Sequence, residues 1–400
     1  MDAYILDWVR TPRGRGREDG SLAKTKPVEL LRQLYAALEH RSHAAQHVES
    51  VILGCVTEFG DQGANIAKIS ALYAGWPNQV AGSTINNFCA SGLSACETAT
   101  LKLATGSEQL VVAGGVESMS RVPMFADKGA YFTDKEVMKK AKFVAIGIAA
   151  DLVATMDKID RKDADAFAVE SHRRAAVAHA AGKLRGSLVE VKDESGAVVL
   201  DRDENVRGNA SVDKIAAMPP FFAEMGAAGI DAMILKHFPL LGEIRHIHTV
   251  ANAPAMADGA ALVLMGTAAK AQQLGLKRRA RIRAVANHAD DPLVMLTAGG
   301  VASEKALKKA GLAMRDIDLF EVNEAFAAVP IKFMRDYKID ADKFNVNGGA
   351  IATGHAMGAT GAILVGTCLD ELEARGQQFG LISIVGAAGL GMAMVIERVA

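Results

Sequence analysis

The chain is poor in the groups that mark several functional classes. Aromatic residues fill 5% of its 400 positions, and it has four cysteines, Cys55, Cys89, Cys96 and Cys368. They are widely spaced and form no CxxC pair. That argues against a disulfide framework or a structural metal site, and for reduced thiols in a cytoplasm. No metal is expected. An excess of one charge is also missing: 45 Lys and Arg stand against 46 Asp and Glu, a formal net charge of -1. No long-range field therefore draws the chain to nucleic acid or to an anionic membrane. The richest apolar stretches are broken by Gly and charge before they reach the length of a membrane span. The opening MDAYILDWVR lacks the basic flank and long apolar core of a secretory leader, so none is expected.

What the chain does have is 38 glycines and a hydrophobic fraction of 50%, over a length that allows a large core and more than one domain-sized unit. Short β-rich runs (AYILDWV, VESVILGCV, QLVVAGG, ALVLMG, ARIRAVA, DIDLFEV, LISIVGA, GMAMVIE) alternate with helical patterns such as PVELLRQLYAALEH and GAILVGTCLDELEARG. Such alternation predicts α/β layers with mostly parallel sheets. From about Glu117 to Ala251 charge density rises and strands become scarce. DAFAVESHRRAAVAHAAGKLRG reads as a helix there, and VEVKDESGAVVLDRDE as a hairpin turning at Ser195-Gly196. The expected division is a first half at 1–116, an inserted segment at 117–251 and a second half at 252–400. The halves echo each other, since CASGLSACETA and GHAMGATGAILVGT both open a helix with Gly and Ala. Two related halves bring two helix N-termini to one crevice, each with unpaired N–H groups and positive potential.

The stretch NNFCASGLSA sets Cys89 at a strand-to-helix turn among small residues. Helix N–H groups there favour thiolate over thiol, and the small neighbours leave backbone donors accessible to a carbonyl. Taken alone, Cys89 reads first as a packing cysteine, a type often buried. The second half changes that weighing. His355 lies in a glycine-bounded turn before a helix, where backbone and ligand can approach a base. Asn323 follows DLFEV and is suited to hold a water or donate to an oxyanion. Other classes fit less well. No GxGxxG follows the first strand, and no GxSxG elbow occurs where Cys89 sits. RTPRGRGR lacks interleaved aromatics and reads as a loop suited to a subunit contact, not a nucleic-acid arm.

Four motifs in order, NNFCASG, GGVESMS (residues 114–120), NEAFA and NGGAIATGH, resemble the thiolase family. The resemblance runs end to end, to the closing IERV. It implies a five-layered αβαβα fold of two related halves with a loop domain over the active site. It implies an enzyme, a dimeric or tetrameric acyltransferase without a permanently bound cofactor, with coenzyme A as substrate. The implied reaction is cleavage of a 3-oxoacyl-CoA by CoA, as in fatty-acid β-oxidation, or the reverse Claisen condensation. By the same resemblance Cys89 is the nucleophile and His355 its activator. Asn323 with His355 forms one oxyanion hole, and the Cys89 N–H contributes to a second. Arg207 is placed near the nucleotide end of CoA, its other reading being an exposed, solvated arginine.

Three departures stand out. The family's second reactive cysteine falls at Val385, followed by Ala387 and Ala388 where glycines are usual. Pro254 stands where a serine contacts the pantetheine arm, and Ala145-Ile146 where some members carry His-Met. Valine transfers no proton. The alternative is therefore a thiolase-fold protein that has lost carbon–carbon chemistry and hydrolyses or binds acyl-CoA.

Overall fold

The structure is a computed structural model and describes residues 2–183 and 185–399. Its sheet contains the same arrangement twice. In the first half the strand order is Ala81–Ile85, Ser50–Gly54, Leu110–Ser118, Ala257–Thr267, Ala3–Arg10. The first three strands run parallel, and the next two pairings are antiparallel. In the second half Leu319–Val322, Phe379–Val385, Leu390–Arg398 and Ala280–Ala289 follow the same parallel, antiparallel, antiparallel sequence. A parallel bridge from Phe344 to Phe320 occupies the place of the remaining strand. Tyr4 and Ile5 pair with Arg281 and Ala280 and join the two halves.

Helices occupy matching places. Between the two sheets lie the first central helix, Ser91–Thr105, and the second, Met357–Arg375, packed on each other. Pro27–Ser42 and Ile66–Tyr73 cover the outer face of the first sheet, Ala298–Ala310 and Ala328–Tyr337 that of the second. These are five layers, αβαβα. The patterning follows from this placement. Leu110–Ser118 is buried along its whole length because both faces of the strand are covered. Met357–Arg375 is buried on nearly every side, which its Gly- and Ala-rich sequence permits. Pro27–Ser42 instead buries one stripe, Leu30, Leu31, Leu34, Tyr35 and Leu38, and starts on Pro27, whose fixed φ and missing N–H suit a first helical position.

The chain leaves the first sheet after Ser118 and returns at Ala257. Strand Ala257–Thr267, which the expected boundary at 251/252 places with the second half, hydrogen-bonds between Leu110–Ser118 and Ala3–Arg10. The insertion thus interrupts the first half. It carries helices Ile146–Met156 and Arg161–Ala180 and a short hairpin, Val191–Lys192 with Val198–Leu200, turning at Ser195-Gly196 as expected. Its apolar cluster runs on into Leu293–Leu296 and Ala325–Val329 of the second half.

Candidate active site

The two central helices meet through glycine. A Cβ on Gly92 would lie 2.7 Å from the Gly358 carbonyl oxygen, and one on Gly361 would lie 2.2 Å from the Leu93 nitrogen. Only glycine allows this approach. Cys89 stands three residues before Gly92 and His355 three before Gly358. The repeated fold therefore brings both residues to one crossing. Phe88, with φ 48°, turns the chain into the first central helix. Gly386 faces this turn, and a Cβ on it would lie 3.3 Å from Phe88 Cβ and 3.6 Å from the Cys89 nitrogen. A side chain at Gly386 would crowd the Phe88–Cys89 turn.

Cys89 is buried, and burial pushes its thiol up to about 12, with the Glu117 carboxylate adding to the rise. This corrects the expectation of a helix-stabilised thiolate: desolvation outweighs the N–H groups, so the resting group is a neutral thiol. His355 moves the opposite way. Burial, and then the charge of Arg13, lower it to about 4, which leaves the imidazole neutral near pH 7. Its tautomer is fixed. Nδ1 lies 2.8 Å from Thr360 Oγ1, and the single Thr360 hydroxyl proton is donated to the Ala356 carbonyl at 2.9 Å. Nδ1–H must then donate to Thr360, and Nε2 is left with a free lone pair. Nε2 is buried and makes no hydrogen bond among the described residues.

Asn323 donates its backbone N–H to the Ser383 carbonyl at 2.9 Å, which ties it to the strand leading into Gly386. Its side-chain oxygen and nitrogen are both buried without partners among the described residues. Asn323 also lines a cavity of about 20 Å³ with Val322, Ser383 and Val385, room for about one water molecule. Arg207 is exposed and sits elsewhere, on a cleft of about 280 Å³ shared with His172, Lys214, Ala255 and Ile351. That cleft reaches the site, because the Ala255 carbonyl accepts the His355 N–H at 2.8 Å.

Two carboxylates that the sequence reasoning left without a role hold this geometry. Glu117, from GGVESMS, accepts from the N–H groups of Val56, Thr57 and Gly358 and from Gln62 Nε2, at 2.9–3.1 Å. It thereby binds the start of the second central helix to the first sheet. Glu324, from NEAFA, accepts from Ser171 Oγ, Asn345 Nδ2 and the Ile351 N–H at 2.8–3.1 Å and shapes the loop carrying His355. Both sit inside quoted motifs, and that was the only signal for them.

Residues 3–230 match the thiolase N-terminal domain family and residues 276–398 the thiolase C-terminal domain family. The chain belongs to the thiolase family. It is 34% identical to a 3-ketoacyl-CoA thiolase of Colwellia psychrerythraea over all of both chains. With one of Serratia proteamaculans the identity is 36%, again over all of both chains. A crystal structure of the Bacillus anthracis acetyl-CoA acetyltransferase superposes with a TM-score of 0.86 at 30% identity, covering 100% of this chain and 99% of that one. The chain is thus a thiolase-type acyltransferase.

Within this thiolase framework the departures have structural consequences. Val385 ends its strand packed against the helix Ala298–Ala310, where a Cβ on Gly299 would lie 3.0 Å from its Cγ1. Ala388 holds φ 57°, a left-handed conformation that favours glycine. Pro254 lies in the segment of Ala251, Ala253 and Ala255, which makes one wall of the cleft apolar. Ala145 and Ile146 begin a helix and pack into the insertion's core. RTPRGRGR is not a free surface loop. Arg10 and Arg13 are buried on Asp203 at 2.7 and 3.2 Å, and Arg15 pairs with Glu204 at 2.8 Å. These pairs tie the insertion to the first sheet. Cys96 and Cys368 are buried within the two central helices, as expected of packing residues.

Proposed function

We propose that the chain cleaves a 3-oxoacyl-CoA with CoA, or runs the reverse condensation, through an acyl group on Cys89. His355 Nε2 takes the Cys89 proton as sulfur attacks the 3-keto carbon. The developing oxyanion faces the Cys89 N–H beside Gly386. The carbon–carbon bond then breaks, and Asn323, with a water in its small cavity and His355, receives the thioester enolate oxygen. Arg207 and Lys214 meet the phosphates of CoA along the cleft, and the apolar wall at Pro254 receives the pantetheine arm. The 3-ketoacyl-CoA thiolases to which the chain is similar from end to end support this substrate class and a place in fatty-acid β-oxidation. Free cysteines fit a cytoplasmic setting, and no helix among the described residues is long and apolar enough to cross a membrane. A second copy of the chain is the proposed partner, and residues 119–256 act as one loop unit over the site.

The observation that carries this reading is the buried, partnerless Nε2 of His355 at the helix crossing it shares with Cys89. Intact-protein mass spectrometry with a panel of acyl-CoAs and 3-oxoacyl-CoAs tests it. An acyl mass should appear on Cys89 and disappear in Cys89→Ser. An adduct mapped to Cys55, Cys96 or Cys368 would refute the assignment. Val385 keeps a second reading in view, hydrolysis or binding of acyl-CoA. Clean acylation of Cys89 without cleavage of any 3-oxoacyl-CoA would favour it.

A further inference from the structure

Thiolysis needs an acid for the departing enolate, and Val385 has no proton to give. The turn that follows Val385 has a phenol beside it. Tyr131 brings its oxygen up to the Ala388 N–H, on the same Gly386–Gly389 turn that faces Phe88 and the Cys89 nitrogen. The oxygen is buried, and the O–H has no hydrogen-bond partner within the described residues. Its ring is held by aromatic neighbours, with centroids 6.1 Å from Phe88, 5.1 Å from Phe132 and 5.1 Å edge-on from Phe143. Buried hydroxyls of tyrosine ordinarily find a partner. This one has at most the Ala388 N–H beside its oxygen, and its own proton is donated to no group among the described residues.

We infer that Tyr131 is a further catalytic residue, the acid that protonates the enolate in place of the missing thiol. The inference rests on the thiolysis reading above. When the bond between the α and β carbons breaks, its electron pair passes to the acetyl-CoA enolate, and the α carbon takes the Tyr131 proton. The phenolate then removes the thiol proton of the incoming CoA. The CoA sulfur attacks acyl-Cys89, and the released Cys89 thiolate recovers its proton from the His355 imidazolium. Each group returns to its starting state. Thiols are ordinarily more acidic than phenols by about 1.5 units, so the second transfer runs downhill. Burial raises the phenol further and keeps it protonated at neutral pH. Ser118 Oγ is also buried and unpaired, but an alcohol is a much weaker acid than a phenol.

The test uses two readouts on the full chain. Exchange of acetyl-CoA α-protons in D₂O reports transfer to and from the α carbon. Alkylation of Cys89 by iodoacetamide needs the nucleophile and its base but no acid. Tyr131→Phe removes one oxygen and should lower exchange, and cleavage of 3-oxoacyl-CoA with it, by ~10²–10⁴-fold, while Cys89 alkylation keeps its rate. Adding Val385→Cys to that variant should restore part of the exchange. Exchange as fast in Tyr131→Phe as in the unmodified chain would overturn the assignment. So would a parallel fall of exchange and alkylation, which would make the ring a packing group. If the unmodified chain never acylates Cys89, the thiolysis reading fails and this assignment with it.

Discussion

Cys89 and His355 are shifted in opposite directions, to about 12 and about 4, and both shifts favour the neutral pair. Reactivity then depends on proton transfer at the moment of attack, not on a standing thiolate. Alkylation of Cys89 measured against pH should be flat from about pH 6 to 9, and should fall toward pH 4 as Nε2 takes a proton. A rise of tenfold per unit across that plateau would mean that free thiolate is the reacting species. Thr360 acts through His355 by fixing its tautomer. Thr360→Val should slow alkylation about tenfold, the equivalent of one hydrogen bond, without moving the apparent affinity for acyl-CoA. At this scale motif spacing points to Cys89 and His355 as candidates but not to their ionisation. The desolvation and the Glu117 carboxylate that raise the thiol come from other elements of the fold.

At the scale of elements, the Gly92, Gly358 and Gly361 contact sets the separation of the two helix starts. Gly361→Ala would force a Cβ to 2.2 Å from the Leu93 nitrogen. The helices must part, which costs ~1–3 kcal/mol of stability and should lower Cys89 alkylation in the same variant. A lowered melting temperature with normal alkylation would separate packing from catalysis. The loop unit has its own electrostatic joint. His246 places Nδ1 2.8 Å from Asp151 and Nε2 2.9 Å from Asp231, and Asp151 also holds His248 at 2.7 Å. The Asp151 bond chiefly raises His246 to about 9. A folded value above the unfolded 6.5 gives stability that is complete below about pH 6.5 and lost as pH rises through about 9. The melting temperature should fall across that window, and His246→Gln should flatten the slope. The alternation of strands and helices was legible because each covered face leaves a period. The edge strand Ala81–Ile85 was not, since AGSTI is small, polar and largely uncovered. Nor was the return of Ala257–Thr267 to the first sheet, because pairing across the insertion leaves no local signal.

At the scale of the whole molecule, that edge strand directs the last prediction. Ala81–Ile85 hydrogen-bonds on one side to Ser50–Gly54 and ends the sheet. The helix packed on it, Ile66–Tyr73, exposes Ile69, Leu72 and Tyr73 to 46%, 40% and 53%. An open strand edge beside exposed apolar side chains is a pairing surface, and a second copy meeting it edge to edge would extend the sheet across a two-fold axis. The chain runs directly from Ile85 through Asn86 and Asn87 to Phe88 and Cys89, so whatever clamps this strand also steadies the turn that carries Cys89. We expect a dimer by light scattering at micromolar concentration, with an interface in the range of about 1,200–2,000 Å² typical of stable pairs. Ile69→Lys with Leu72→Lys should shift it toward monomer and lower Cys89 alkylation in step with the dimer fraction. A stable monomer in the unmodified chain, or a dimer untouched by the double change, would place the contact elsewhere. A monomeric variant that alkylates at the full rate would show that the Cys89 turn is held without the strand-edge contact.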